Sequence, residues 1–291
     1  MIKISVVGNC QARPTAERLI RLSSLVEIID VTIVHLAKDS DCDIHKRAYA
    51  ESDYIIAQQV NDNYPCEFVR TSSLKKEYGS KVVTVINLYF SGYFPDWRYY
   101  RLPKQGTLKG PMGDYHCEAI YDCWIEGKSP TDAKNLINSL DYNLEKYRDA
   151  ASTSLRELAS RESNSDCKIV DFLEDQITKE RMFFSFNHPK IVLIEKMLVS
   201  VCDKIGITAT TTQYESIKEN TNEPLGAFEL PINIGFIKEY SPEFSQTQKI
   251  KGIATDKKGR PLAKQRNFLY NLDSLIEVFY RAYDTQMSDF K

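Results

Sequence analysis

The feature that most constrains this chain is the alternation in its first 86 residues. Short β-branched runs at Ile2 to Val7, Ile28 to Leu36, Tyr54 to Ala57 and Lys81 to Ile86 are separated by segments with helical spacing. Those segments are Arg13 to Leu22, Asp43 to Glu51 and Leu74 to Tyr78. Near-continuous apolar strands that alternate with helices predict a parallel sheet covered on both faces. Right-handed crossovers then bring the carboxyl ends of the strands to one edge, where such sheets hold their ligands. The expected fold is α/β, a mostly parallel sheet with flanking helices and a large helical C-terminal addition.

Residues 87–114 break the alternation with a Gly- and Pro-rich aromatic segment, the kind of long loop that carries function. A helix is expected over Tyr115 to Glu126, capped by Asp114 and closed by Gly127. A second should start at Ser129-Pro130 with Asp132 in a capping box. Further helices are expected over 144–160, after Pro189, and from Asn271 to Tyr280. Without a repeat or a clean linker, the domain expected is 1–210, with 211–291 an extension packed on the same body.

Composition limits the partners. Lys and Arg number 38 against 40 Asp and Glu, a formal charge of −2, so no global excess of positive charge points to nucleic acid. No apolar run approaches bilayer length, and the start is not a signal peptide, so no membrane span and a cytoplasmic location are expected. Seven scattered Cys without a CxxC fit a reducing compartment and free thiols. No familiar zinc spacing is completed, so no metal is expected.

The most informative stretch is Gly8-Asn9-Cys10-Gln11, where a strand ends and a helix begins. Backbone amides there can receive an anion, and the helix start favours thiolate at Cys10. Asn9 and Gln11 are neutral donors able to hold developing negative charge. Arg13 and Arg18 add positive potential for a phosphate. A dinucleotide fingerprint and a P-loop both fail on spacing. The bland alternative makes Gly8 a turn, Cys10 a small buried residue and Asn9 a cap. His116, at the expected helix start, should stay neutral and accept a proton; His188, in Asn187-His188-Pro189, can bind or act as an alternate base, with Asn187 as cap or orienter. Arg98 and Arg101 can meet phosphate, and the rings of 89–101 can cover an adenine or line a sugar site, unless they form a satellite core. The basic run Lys257, Lys258, Arg260, Lys264 and Arg266 reads best as a surface loop.

Four segments occur in order: VVGNCQA at 6–12, YFSGYFPDW at 89–97, GPMGDYHCEAI at 110–120 and FSFNHP at 184–189. Together they resemble the WcbI-like polysaccharide biosynthesis family over roughly the first two-thirds of the chain. The resemblance implies a coenzyme-A-binding acyltransferase that acetylates a capsular or other surface-polysaccharide sugar. Its Cys-Gln pair falls on Cys10 and Gln11, and its two histidine segments on His116 and His188. It implies acyl-CoA, with acetyl-CoA as donor, and a sugar precursor as partners. The site residues expected are Cys10, His116, His188 and Gln11 for chemistry, and Gly8, Asn9, Arg13, Arg98, Arg101 and Asn187 for the cofactor. Whether the acyl group passes through Cys10 or directly to the sugar stays open, as does a homo-oligomer. The alternatives are an esterase-like thiol hydrolase and a non-catalytic CoA- or nucleotide-binding subunit.

Overall fold

The computed structural model describes residues 1–103, 106–209, 222–244 and 249–287. The chain forms two compact units, and each is interleaved in sequence. The first comprises 1–89, 155–176 and 187–225; the second comprises 90–154, 177–186 and 226–291. The expected boundary at 210 is not where the contacts divide. Both units take residues from the middle of the chain, so no single cut separates them.

The first unit is built on β1 (Ile2–Gly8), β2 (Val26–Ile33), β3 (Tyr54–Gln58) and β4 (Val82–Val85). They form a parallel sheet in the order β2-β1-β3-β4. Between them run α1 (Ala12–Leu22), α2 (Cys42–Glu51) and α3 (Thr71–Tyr78). Every expected strand and helix of this region is present, to within a few residues. The reason is burial on both faces: Ile4, Val7, Ile55, Ile56, Ala57 and Val83 are 0–3% exposed. Val7, Ile55, Ala57 and Val82 pack with Tyr49 of α2 and Leu74 of α3. Against α1 lies the helix Ile191–Lys204, joined to it by a buried ion pair, Arg18 Nη1 to Glu195 Oε1 at 3.2 Å.

The strand order carries the functional consequence. From β1 the chain goes first to one side, to β2, and then to the other, to β3. The direction of winding reverses between β1 and β3, the place where open sheets of this kind hold their ligands. Gly8 ends β1 and Gln58 ends β3. A Cβ at Gly8 would lie 2.6 Å from Gln58 Oε1, so only glycine lets this side chain cross the strand end.

The second unit is mostly helical and aromatic. Helices Glu118–Ile125, Pro130–Ile137, Leu140–Tyr147, Ile234–Tyr240 and Leu272–Gln286 belong to it. The capping box of Ser129 and Asp132 is formed, and Asn271 caps the last helix with Ser274. Phe90, Tyr93 and Phe94 are 0% exposed and Trp97 5%. Tyr93 meets Phe90 and Phe236 edge-on at 5.0 and 4.9 Å, and its hydroxyl donates to the Ile177 carbonyl at 2.7 Å. These rings are core, so the expected role of covering an adenine is not available to them. The C-terminal region adds a β-hairpin, Ile250–Thr255 with Pro261–Tyr270, where a surface loop was expected.

Candidate functional site

The turn after β1 is held from several sides. The Asn9 amide N–H donates to Gln58 Oε1 at 2.8 Å, and Asn9 Nδ2 donates to Asn87 Oδ1 at 2.8 Å. Asn9 Oδ1 accepts from the Gln11 backbone N–H at 2.9 Å, and the Ala12 N–H donates to the Asn9 carbonyl at 3.0 Å. Gln11 is 1% exposed and its side chain is saturated. Its Nε2 donates to the Leu88 and Asn187 carbonyls at 2.8 and 3.0 Å. Its Oε1 accepts from Gln58 Nε2 at 2.8 Å and from the Leu88 N–H at 3.2 Å. Asn9 and Gln11 were expected to hold developing charge. Both donors of the Gln11 amide are instead committed to fixing the turn, whereas Asn9 Nδ2 spends one of its two N–H groups on Asn87.

Cys10 is half-buried at the tip. The helix start was expected to favour thiolate, but burial pushes the thiol pKa up, and its own backbone N–H opposes this only in part.

His188 belongs to the same unit. Gln11, one residue from Cys10, bonds the carbonyl of Asn187, one residue from His188. Burial holds the His188 pKa down to about 4, against a hydrogen bond to the Leu225 backbone. A neutral imidazole can donate from one nitrogen and accept at the other, and His188 Nδ1 lies buried beneath the surface of this segment. Asn187 does not cap the following helix. The Ile191 N–H there donates to Glu223 Oε2 at 2.8 Å.

His116 lies in the second unit, and its setting differs from the expectation. The helix begins at Glu118, because His116 and Cys117 pair in antiparallel fashion with Arg98 and Trp97. The Asp114 carboxylate is bonded to Lys109 and caps nothing. His116 is 0% exposed. Its Nε2 lies 3.1 Å from the Leu108 carbonyl, which can only accept, so Nε2 carries the proton. Nδ1 then accepts from the Tyr283 hydroxyl at 2.9 Å. Burial holds its pKa down to about 4. The ring is neutral, as expected, but both nitrogens are engaged within the core.

The basic candidates divide similarly. Arg13 is exposed on the first turn of α1. Arg18 is buried against Glu195 and donates to the Asn222 carbonyl, which removes it as a phosphate contact. Arg98 is paired with Glu118 at 2.7 Å, and Arg101 is exposed in a short strand beside Gly106–Thr107. Among the described residues no cluster of three His, Cys, Asp or Glu side chains could hold a metal ion. All seven cysteines are free.

Sequence reasoning missed a cavity in the first unit. Tyr89, Glu157, Ser160 and Arg161 line a space of about 550 Å³. The Arg161 guanidinium lies over the Tyr89 ring, 5.7 Å from its centre, and the Arg161 carbonyl accepts from Gln59 Nε2 at 3.2 Å. Tyr89 directly follows Leu88, to which Gln11 is bonded. The only signal for Arg161 in the sequence is a charge on a helix, which solvent explains equally well.

Asp96 was also passed over. It is buried in the second unit beside Cys117, whose Sγ is 3.7 Å from Oδ2. Burial raises its pKa to about 6. A carboxyl raised in the folded state contributes fully below its unfolded pKa, and that contribution is lost as pH rises through about 6. Asp96→Asn is therefore expected to stabilise the protein at pH 8 by about 1–3 kcal/mol, and by about half as much at pH 5. Thermal melts of both proteins at the two pH values check this; an equal difference at both would contradict the burial of an ionising group.

The fold and the turn define an α/β protein with its thiol at the switch point of a parallel sheet. The chain belongs to the WcbI family of polysaccharide biosynthesis enzymes, which it matches over residues 3–210. A solved WcbI structure superimposes with a TM-score of 0.74 at 20% identity, covering 99% of this chain and 92% of that one. That structure is described as a native protein without the disulfide bond between coenzyme A and one of its cysteines. No curated protein matches the chain.

Proposed function

We propose that the protein transfers an acyl group, acetyl in the simplest case, from coenzyme A to a hydroxyl of a surface-polysaccharide sugar. The observation that carries this reading is the Gln11 clamp, which ties the Cys10 turn to the Asn187-His188 segment at the sheet's switch point. The WcbI structure without the disulfide between coenzyme A and a cysteine supports it, because such a bond joins a cysteine thiol to the sulfur that carries the acyl group in acyl-coenzyme A. The cavity suits the donor: Tyr89 offers a face for a base and Arg161 a planar charge for phosphate. Arg13, exposed on the first turn of α1, can add to that charge.

The thioester supplies an activated carbonyl carbon and a sulfur leaving group. His188 takes the proton from the sugar hydroxyl as that oxygen bonds to the carbon. The Cys10 backbone N–H donates to the oxygen on which charge develops. The carbon–sulfur bond then breaks, and His188 returns its proton to the leaving sulfur. The raised thiol pKa favours this direct route over one through an acyl-cysteine.

Cys10→Ala keeps the backbone N–H. On the direct route it should retain free-CoA release from acetyl-CoA and a sugar panel to within about tenfold. Loss of turnover, with an acyl adduct on unmodified Cys10 by intact mass, would restore the covalent route. Steady CoA release without any sugar would indicate a hydrolase.

A further inference from the structure

The hairpin of residues 249–270 concentrates charge that the rest of the chain lacks. It contains Lys249, Lys251, Lys257, Lys258, Arg260, Lys264 and Arg266 against Asp256 alone, a formal +6. The whole chain carries −2, so everything outside this segment carries −8. The strand Ile250–Thr255 is largely buried, while Pro261–Tyr270 is exposed along eight successive residues, 262–269. Along that outer edge, Leu262, Phe268 and Leu269 are 39%, 48% and 52% exposed, interleaved with Lys264 and Arg266.

The hairpin is a built element. The Asp256 carboxylate accepts from the Lys258 and Arg260 backbone N–H groups at 2.9 and 3.0 Å and from Arg260 Nε at 2.8 Å. The Lys258 carbonyl accepts from Thr285 of the last helix at 2.9 Å. Gly259, at φ +76°, packs so closely that a Cβ would meet the Ala282 nitrogen at 2.5 Å. Asn267, at φ +64°, interrupts the register, since Ile253 pairs with Arg266 and Gly252 with Phe268. The interruption turns Arg266 and Phe268 to opposite faces of the ribbon.

Charge on a free strand edge is ordinary protection against edge-to-edge pairing. Three large apolar side chains on the same edge defeat that purpose. Cations flanked by apolar groups along one exposed edge, with side chains on both faces of the ribbon, suit an interfacial anchor, in which cations meet anionic headgroups and apolar side chains enter the boundary. A soluble acidic polymer would meet the cations but has no use for the leucines. We propose that this strand edge docks the protein on an anionic phospholipid surface.

The test uses the full chain and vesicle flotation. Vesicles of phosphatidylcholine are compared with vesicles in which about one-third is phosphatidylglycerol. Flotation is expected with the anionic vesicles only and should vanish near 1 M salt, where screening reaches about 3 Å. Lys264→Glu with Arg266→Glu should weaken binding by roughly thirtyfold or more. Leu262→Ser, Phe268→Ser and Leu269→Ser together should weaken it by roughly tenfold or more. Lys257→Glu with Lys258→Glu, in the exposed turn, gives a second charge test should the strand variants fail to fold. No flotation with anionic vesicles, equal flotation with neutral ones, or binding unchanged by the charge variants would each overturn the proposal. So would capture by dextran sulfate that matches vesicle binding and survives the serine substitutions, which would assign the edge to a soluble polyanion.

Discussion

Gln11→Ala should lower the stability of the protein by about 3–5 kcal/mol, a larger loss than truncating a side chain of this size at a surface would cause. Four groups lose a partner at once: the Leu88 N–H and carbonyl, the Asn187 carbonyl and the Gln58 amide. Leu88 is 0% and Gln58 6% exposed, so bulk water does not reach these groups without a rearrangement of the turn. Each buried orphan costs about 1–3 kcal/mol, reduced where a water enters the space left behind. Gln11→Glu sharpens the test. It keeps the shape and the acceptor but aims a second oxygen at two carbonyls that need a donor. Its penalty should be at least as large near neutral pH and should shrink as pH falls and the carboxyl protonates. Denaturant titration at two pH values measures both variants. A loss below about 1 kcal/mol for Gln11→Ala would mean the clamp is not what fixes the turn.

His188→Gln should lower kcat by about 10²–10⁴ and leave KM for the acyl donor nearly unchanged, if His188 is the base proposed above. Because burial holds the ring neutral down to about 4, activity should show no step near the ordinary histidine range and should fall only as pH drops towards 4. His116→Gln provides the contrast. Both nitrogens of that ring bond within the core, so the change should lower the melting temperature and spare kcat per folded molecule. The reverse pattern, with His116→Gln inactive but folded and His188→Gln active, would exchange the two roles.

The sheet was legible because its strands are buried on both faces, which writes a run of apolar β-branched residues into a short span. The position of Cys10 was legible for a related reason: a glycine directly after such a run marks the strand end where ligands gather. The rest depended on partners far away in sequence. Nothing near Gly8 announces Gln58, and nothing near Gln11 announces Leu88 or Asn187. The start at Tyr115 was misread because Asp114 is a good local cap, whereas the pairing of His116 and Cys117 with Arg98 and Trp97 decides the backbone. Arg18 looked like a surface cation because Glu195, which neutralises it, is on another helix. The last hairpin was hidden because a strand exposed along its length shows no alternation of apolar and polar residues, and Asn267 interrupts the little that exists.

The Gln11 clamp also bears on the order in which the chain becomes competent during synthesis. Its anchors lie at 58, 88 and 187, so the first two emerge from the ribosome soon after the sheet strands and the third about a hundred residues later. A nascent chain arrested between the two would hold a finished sheet with a loose cysteine loop. Binding of the acyl donor proposed above should therefore switch on late in translation, in one step, as the Asn187 segment arrives.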